Sequence, residues 1–467
     1  MKFEISIKNF GKINNATIKL RPFTVLAGPN SSGKSFVTKG LYSFFSTINT
    51  DHVTIETLNR ASELKGLSTY LYATLQTPSR SVTNALNVFN SNIDLIEEKI
   101  DDAFVKNTFS NQVSRSFLLK EAIDGLENSF NSLNTVASAA RYKKIKEYSG
   151  AIKQNINQLK KIAENPSECL ITGIKNGFND ALKENFQVSN LSDLKNYHSS
   201  DEDFAVFNFD RLGKIDIKKE VITFSLNTKS IDEFQKLNNV VYLESPIYWK
   251  MAEALTSVRK SKQFLRISRL KQTDYLTGVP KHFYDLVDLL RNKTKSSDNI
   301  NFEEETIKNE IGGEIIISKS GDLYFKEEGY SKNINLHSTA LGVTNLGIIS
   351  LLIERGILAN GSYLFVDEPE VHLHPAWQKI MIDTLFELSK RGISIVIASH
   401  SIDMMKCIEN IMQREESLNL DDHFGINQLN AKGDTLNLSD NVFKRISSIK
   451  EDLGKSFYEM FVDSNCN

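Results

Sequence analysis

The sequence predicts an α/β protein whose parallel-sheet core is interrupted by a long, mostly helical insertion. Three features lead to that reading. An apolar run, Phe23-Thr24-Val25-Leu26-Ala27, leads straight into Gly28-Pro29-Asn30-Ser31-Ser32-Gly33-Lys34-Ser35, which fits G-x-x-x-x-G-K-[ST] at every fixed position in a strand-to-helix setting. A second apolar run, Tyr363-Leu364-Phe365-Val366, delivers Asp367 and Glu368 at its end, and open α/β sheets gather ligands at the carboxyl ends of their strands. Between Pro78 and Pro166 no proline intervenes, and apolar residues recur at helical spacing, as in Leu95, Ile96, Ile100, Ala103 and Phe104.

Phosphate chemistry explains the composition of the glycine-containing loop. Two glycines let the backbone curl so that successive N–H groups point at phosphate oxygens, at the positive end of the following helix. On this reading Gly28, Asn30, Ser31, Ser32, Gly33, Lys34, Ser35 and Phe36 cradle the phosphates of a nucleotide. Lys34 reaches the β- and γ-phosphates, and the Ser35 hydroxyl is offered to Mg²⁺, a cation that prefers oxygen ligands. Of two carboxylates side by side at a strand end, one can hold Mg²⁺ while its neighbour activates water.

At 467 residues the chain is long enough for two or three domains. A formal net charge of −2 excludes a globally basic nucleic-acid binder and confines any such affinity to a local patch. Cys169, Cys407 and Cys466 lie far apart without C-x-x-C spacing, which suggests neither a disulfide framework nor a zinc cluster and fits a reducing compartment. The start, Met1-Lys2-Phe3-Glu4-Ile5, alternates like a strand and not like a signal peptide, and no run approaches the roughly 18 apolar residues of a membrane span. A cytoplasmic protein with no membrane partner is therefore expected.

Taken in order, Phe3, Ile5 and Ile7 alternate with polar residues, a turn follows at Asn9-Phe10-Gly11-Lys12, and alternation resumes at Ile18 and Leu20. These are two antiparallel strands ahead of the loop strand, and a helix from Phe36 to Phe45 follows the loop. The insertion shows no sustained apolar heptads, which predicts a packed helical arm in preference to an extended coiled coil. Strand character returns at 204–209, 221–226 and 240–243, the last ending in Glu244-Ser245-Pro246. Arg259, Lys260, Lys262, Arg266, Arg269 and Lys271 then cluster with no acid before Asp274, a stretch suited to a nucleic-acid backbone, a solvated helix face or a subunit contact.

After a polar linker near 293–301, strands at 314–317 and 323–325 precede Ser338-Thr339-Ala340-Leu341-Gly342 and an apolar helix through Leu346 and Leu352. The carboxylate strand, a helix from Trp377 to Lys390 and a buried strand, Ile393 to Ala398, complete the core. That last strand ends at Ser399-His400, where a histidine is placed to contact a γ-phosphate. His372 and His374 have no third ligand spaced for zinc. The segments read as 1–50, an N-terminal lobe with the loop; 51–200, the helical insertion; 201–410, a C-terminal lobe; and 411–467, a strand-helix extension.

Gly28 to Ser35, the string Asp367-Glu368-Pro369-Glu370-Val371-His372-Leu373-His374-Pro375, and Ser399-His400 together resemble the ABC-type ATPases of the SMC/RecF/OLD group. The resemblance covers residues 1 to about 45 and 240 to about 410. It implies an ABC-type ATPase head that binds ATP and Mg²⁺ and pairs with itself head to tail, as a dimer or a higher homo-oligomer. It also implies roles: Lys34 and the loop amides on phosphate, Ser35 and Asp367 on Mg²⁺, Glu368 as general base, His400 as switch histidine, and Glu370 to His374 at the interface between heads. Two departures stand out. Where the family signature has a serine two positions before a glycine, Ala340 precedes Gly342, and no glutamine fits the Q-loop.

OLD-type proteins add a C-terminal TOPRIM nuclease, and residues 401–467 are too few for one. The chain therefore looks like the ATPase subunits of bacterial anti-phage systems. Septu is favoured over PARIS on the strength of Glu244-Ser245-Pro246 and the stretch from Thr339 to Gly347. A nuclease subunit encoded nearby is the partner this implies. The competing reading is a RecF-like DNA-repair ATPase acting directly on DNA through residues 259–271. A transporter's nucleotide-binding subunit is a third class, against which the acidic-histidine string and the inserted helices argue.

Overall fold

The computed structural model describes residues 2–75, 78–101, 109–139, 143–200, 204–252, 254–255, 257, 278–292, 301–318, 322–415, 417–436 and 441–464. The basic stretch from Arg259 to Lys271 lies outside them. Two compact units result: one comprises Met1–Ser46, Phe178–Asn227 and Leu237–Asn467, the other Thr47–Gly177 with Thr228–Lys236.

In the first unit, alternation produces the expected hairpin. Strand β1 (Phe3–Phe10) buries Phe3, Ile5 and Ile7, strand β2 (Ile13–Leu20) buries Ala16, Ile18 and Leu20, and the two pair antiparallel with Ile5 opposite Ile18. β3 (Phe23–Ala27), buried at all five positions, leaves that hairpin for a second sheet and leads into helix α1 (Lys34–Ile48). Helices α2 (His52–Thr74), α3 (Arg80–Asp101), α4 (Phe109–Ala139) and α5 (Lys143–Glu164) follow, and α6 (Pro166–Phe186) carries the chain from the second unit back into the first.

The return therefore falls at Phe178 and not beyond residue 200 as the sequence suggests. The reason is aromatic packing, because the Phe178 ring meets Phe44 and Phe207 edge-on at 5.6 and 6.1 Å. Strands β4 (Ala205–Phe209), β5 (Gly213–Lys218) and β6 (Val221–Leu226) then extend the first hairpin into an antiparallel sheet of order β2-β1-β4-β5-β6.

A short helix, α7 (Thr228–Gln235), belongs to the second unit, and β7 (Val240–Leu243) re-enters the first. The elements that follow are α8 (Ile247–Lys250), α9 (Lys281–Asn292), α10 (Asn301–Ile311), a small sheet of β8 (Gly313–Ile317), β9 (Leu323–Glu327) and β10 (Ile334–Asn335), and α11 (Leu341–Glu354). β11 (Tyr363–Asp367), α12 (Pro375–Lys390), β12 (Ser394–Ser399), α13 (Ile402–Arg414), α14 (Leu420–His423), β13 (Phe424–Gln428) and α15 (Val442–Ser464) complete the chain.

The second sheet has the order β13-β3-β12-β11-β7, with every neighbouring pair parallel. All five strands are buried at every position, which is why they read as unbroken apolar runs. The register aligns their carboxyl ends. Ala27 lies opposite Ser399, Asp367 opposite Ala398, and Val366 opposite Leu243. The loop strand and the carboxylate strand are thus separated by β12 alone, although most of the chain lies between them in sequence.

In the second unit α2 neighbours α3 and α5, and α4 neighbours the same two helices, a four-helix arrangement. Heptad spacing is present after all. The buried positions run Thr57, Ala61, Leu64, Ser68, Leu71 and Leu75 in α2, and Val82, Leu86, Phe89, Ile93, Ile96 and Ile100 in α3, at alternating steps of four and three. Thr57 and Ser68 in α2 and Asn155 in α5 occupy stripe positions as polar residues, which hides the repeat in those two helices from a purely apolar count, whereas the α3 stripe is apolar throughout. Among the described residues no helix is long and apolar enough to cross a membrane.

Candidate active site

The carboxyl ends of β3, β12, β11 and β7 carry the residues singled out in the sequence. After β3 the chain turns at Gly28, where a Cβ would fall 2.6 Å from the Leu429 carbonyl oxygen, and at Gly33, whose φ of +96° suits glycine alone. The second glycine also answers a packing demand, since its Cβ would sit 2.6 Å from the Ile13 side chain. Ser31 takes the left-handed conformation (φ 62°), and Ser32 is fully buried with its hydroxyl unpartnered among the described residues. That orphaned donor sits at the N-terminus of α1, where the first N–H groups lack partners within the helix. A phosphate fits this set.

Lys34 opens α1 and is nearly buried; its Nζ donates to the carbonyl oxygens of Gly28 and Pro29, each at 2.9 Å. Burial pulls its pKa below the usual lysine value, opposed by Glu368, Asp367 and Glu370, so the three acids share one electrostatic neighbourhood with the loop. Phe36 is placed differently from the other loop residues. Its ring stacks on Phe186 at 5.1 Å and meets Phe10 edge-on at 5.9 Å, which leaves only its backbone to serve a ligand.

Asp367 closes β11 and is buried. Its Oδ2 accepts a hydrogen bond from the Tyr242 hydroxyl at 3.1 Å, while Oδ1 accepts no well-formed hydrogen bond among the described residues. Burial pushes its pKa up to about 6, Glu244 adds to the rise, and the Ser35 hydroxyl is the leading opposing influence. A hydroxyl beside an under-satisfied buried carboxylate is a donor set of hard oxygens, and it fits Mg²⁺.

Glu368 and His400 complete the edge. Glu368 has a positive φ of 51°, a sparsely populated conformation for a side-chain-bearing residue, and it is held there by its N–H donating to the Ala398 carbonyl at 2.8 Å. The turn leaves its carboxylate 44% exposed and 3.5 Å from His400 Nδ1, whereas buried Glu370 lies 3.4 Å from the same nitrogen. Glu370 accepts hydrogen bonds from the Ser399 hydroxyl (2.8 Å) and the His400 N–H (3.1 Å), and so fixes the end of β12 against the segment after β11.

Within the acidic-histidine string, His374 caps α12 by accepting from the Ala376 N–H. Gly342 packs on that same segment, since a Cβ there would fall 2.8 Å from the His372 carbonyl oxygen and 3.2 Å from the Trp377 ring.

Sequence reasoning missed the β7 contribution. Glu244, next after β7, bonds Lys39 at 2.6 Å and accepts from His282 Nε2 at 3.0 Å. His282 is buried, and that burial holds its pKa below the usual histidine value. The formal charge on Glu244 is thus matched mainly by Lys39. Burial disfavours the charged carboxylate, but its hydrogen bond to His282 and the Lys39 charge outweigh this and pull its pKa down to about 2. A depressed carboxylate contributes stability above its unfolded pKa and loses it as pH falls towards the folded value.

Glu244→Gln is accordingly expected to destabilise the protein by on the order of 2 kcal/mol at neutral pH. The gap from wild type should stay flat between pH 8 and 5 and shrink by about 1 kcal/mol at pH 3.5, as read by urea unfolding. A gap that is unchanged at pH 3.5 would assign the effect to packing.

A parallel sheet whose aligned strand ends present a glycine-turned loop with its lysine and serine, a buried carboxylate and an exposed one defines the P-loop class of nucleotide site. The chain belongs to the AAA ATPase domain family, which it matches over residues 1–405. No curated protein matches it.

Among solved structures it is similar to the Smc head domain with a coiled coil and joint derived from Pyrococcus yayanosii, at 11% identity and a TM-score of 0.34, covering 97% of this chain and 99% of that one. It is also similar to the SmcHead bound to the C-winged helix domain of ScpA (13%, TM-score 0.32, 87% and 92% covered). The SMC head domain from Thermotoga maritima gives 10% identity and a TM-score of 0.29, with the same coverage of 87% and 92%.

Proposed function

We propose that the chain is an ATP-binding and slowly hydrolysing ABC-type ATPase, which pairs head to tail with a second copy and gates a separate nuclease in bacterial anti-phage defence. The observation that carries the ATPase part is the convergence of Lys34, Ser35, Asp367, Glu368 and His400 on one sheet edge. Lys34 and the loop amides hold the phosphates of ATP, with Ser35 and Asp367 the ligands for Mg²⁺. When bound, Mg²⁺ neutralises charge on the β- and γ-phosphoryl oxygens. Glu368, accessible and not tied up by Lys34, takes a proton from the attacking water, and His400 beside it orients the γ-phosphate. The defence role and the nuclease partner rest on the resemblance of the sequence motifs.

Slow turnover follows from Ala340. It is the N-cap of α11 and makes no side-chain cap, so this position offers no hydroxyl to a phosphate across a head-to-tail interface. One missing donor at developing transition-state charge costs on the order of 10²–10³ in rate. Phosphate release should therefore be slow for the wild type and faster for Ala340→Ser, measured with and without the product of the adjacent gene co-purified. The new serine also caps α11, which raises stability by about 1 kcal/mol but by itself leaves turnover untouched. Wild-type turnover near 10 s⁻¹, a typical enzyme rate, contradicts the slow-ATPase reading. Plasmid cleavage by this chain alone, surviving Lys34→Ala, contradicts the separate nuclease, and stimulation by DNA without a partner favours the repair reading.

A further inference from the structure

We propose that Tyr242 is a positioning residue for the Mg²⁺ site: its hydroxyl engages one oxygen of Asp367 and thereby keeps the other for the cation. The inference rests on Asp367 being a metal ligand, as proposed above. Tyr242 lies on β7, and its side chain is fully buried. The hydroxyl donates to Asp367 Oδ2 at 3.1 Å and lies 3.0 Å from the Thr38 hydroxyl. A phenol has one proton to give. With that proton on Asp367, Thr38 is the donor to Tyr242, and a directed chain runs from α1 through Tyr242 to the carboxylate strand.

Two further observations separate this arrangement from ordinary satisfaction of a buried phenol. Thr38 alone would satisfy the Tyr242 hydroxyl, yet the proton is directed at a carboxylate whose second oxygen, Oδ1, is buried and without a well-formed hydrogen bond among the described residues. The ring is also held in place, with His282 at 4.5 Å, Tyr42 edge-on at 5.4 Å and Phe365 stacked at 6.2 Å, so the hydroxyl has a fixed address. Ser35 and Thr38, three residues apart, share one face of α1. That face therefore meets Asp367 twice, directly through Ser35 and indirectly through Thr38 and Tyr242. Groups that orient a metal ligand without touching the metal typically govern affinity by 10–100-fold.

The test is a titration of a fluorescent ATP analogue against the full chain, first in EDTA and then with added Mg²⁺, for wild type, Tyr242→Phe, Thr38→Val and Lys34→Ala. Tyr242→Phe should bind the analogue in EDTA within about twofold of wild type but need roughly tenfold more Mg²⁺ for half-saturation. Thr38→Val should move the Mg²⁺ midpoint the same way by less, and it decides the matter if the phenylalanine variant does not fold. A purely structural role for the hydroxyl predicts a lower melting temperature with the Mg²⁺ midpoint unmoved, and that result overturns the inference. Undiminished binding by Lys34→Ala would instead overturn the nucleotide site itself, so the two failures are read on different variants.

Discussion

Lys34→Ala is expected to weaken ATP binding at least about a hundredfold, the loss of two charge-assisted contacts at about 1.5–3 kcal/mol each, with about 1.4 kcal/mol per factor of ten. The geometry makes this the largest binding effect available in the loop. The ammonium feels the charges of Asp367, Glu368 and Glu370, and its burial has already stripped it of most of its water. Without it, a triphosphate would be brought beside three carboxylates with backbone dipoles and Mg²⁺ to compensate but no loop cation. The variant also loses the bonds from Nζ to the Gly28 and Pro29 carbonyls, so a melting curve should accompany the calorimetric titration with ATP and Mg²⁺. Wild-type affinity in a folded Lys34→Ala protein would remove the loop from the binding site.

The residues proposed to hold phosphate were readable in the sequence because their spacing is dictated locally. A glycine-turned loop needs its lysine and serine at fixed offsets, and a buried strand ending in two acids announces itself as an apolar run. What holds those residues in place was not readable. Tyr242 and Thr38 look like ordinary strand and helix residues, and their bond joins positions 204 apart in the sequence. Glu370 was visible in the acidic-histidine string, but its role in clamping Ser399 and His400 depends on β12 lying beside β11, which spacing alone does not show. Phe36 was grouped with the loop by position, whereas its ring belongs to an aromatic cluster.

The antiparallel sheet shows the same limit on the scale of the fold. β1 was legible by alternation, but its second neighbour, β4, comes after the entire helical insertion, and β5 carries only Ile215 and Ile217 as apolar residues between charges. In α2 and α5 the heptad repeat was obscured by Thr57, Ser68 and Asn155, polar residues within the buried stripe. Thr57 and Asn155 do bond back to the carbonyl four residues earlier, at 2.7 and 3.2 Å.

Glu368→Gln is the second large effect: turnover should fall by about 10²–10⁴, the usual contribution of a positioned general base, while ATP binding stays within about threefold of wild type. Glutamine keeps the shape and can still accept a hydrogen bond from water, but it cannot take the proton as nucleophilic attack proceeds. Binding survives because Lys34 and the loop are untouched, and removing one of the acids near Lys34 lowers the negative charge that a triphosphate must face. The positive φ at Glu368 adds a control, since glutamine must adopt the same left-handed backbone and a folded variant shows that the turn does not depend on the charge.

The central claim, that this edge of the sheet binds ATP and hydrolyses it through an accessible carboxylate, is tested most directly by measuring nucleotide occupancy and phosphate release on the same preparations of wild type and Glu368→Gln. Equal occupancy with phosphate release at background in the variant is the predicted result; equal release from both proteins would contradict it.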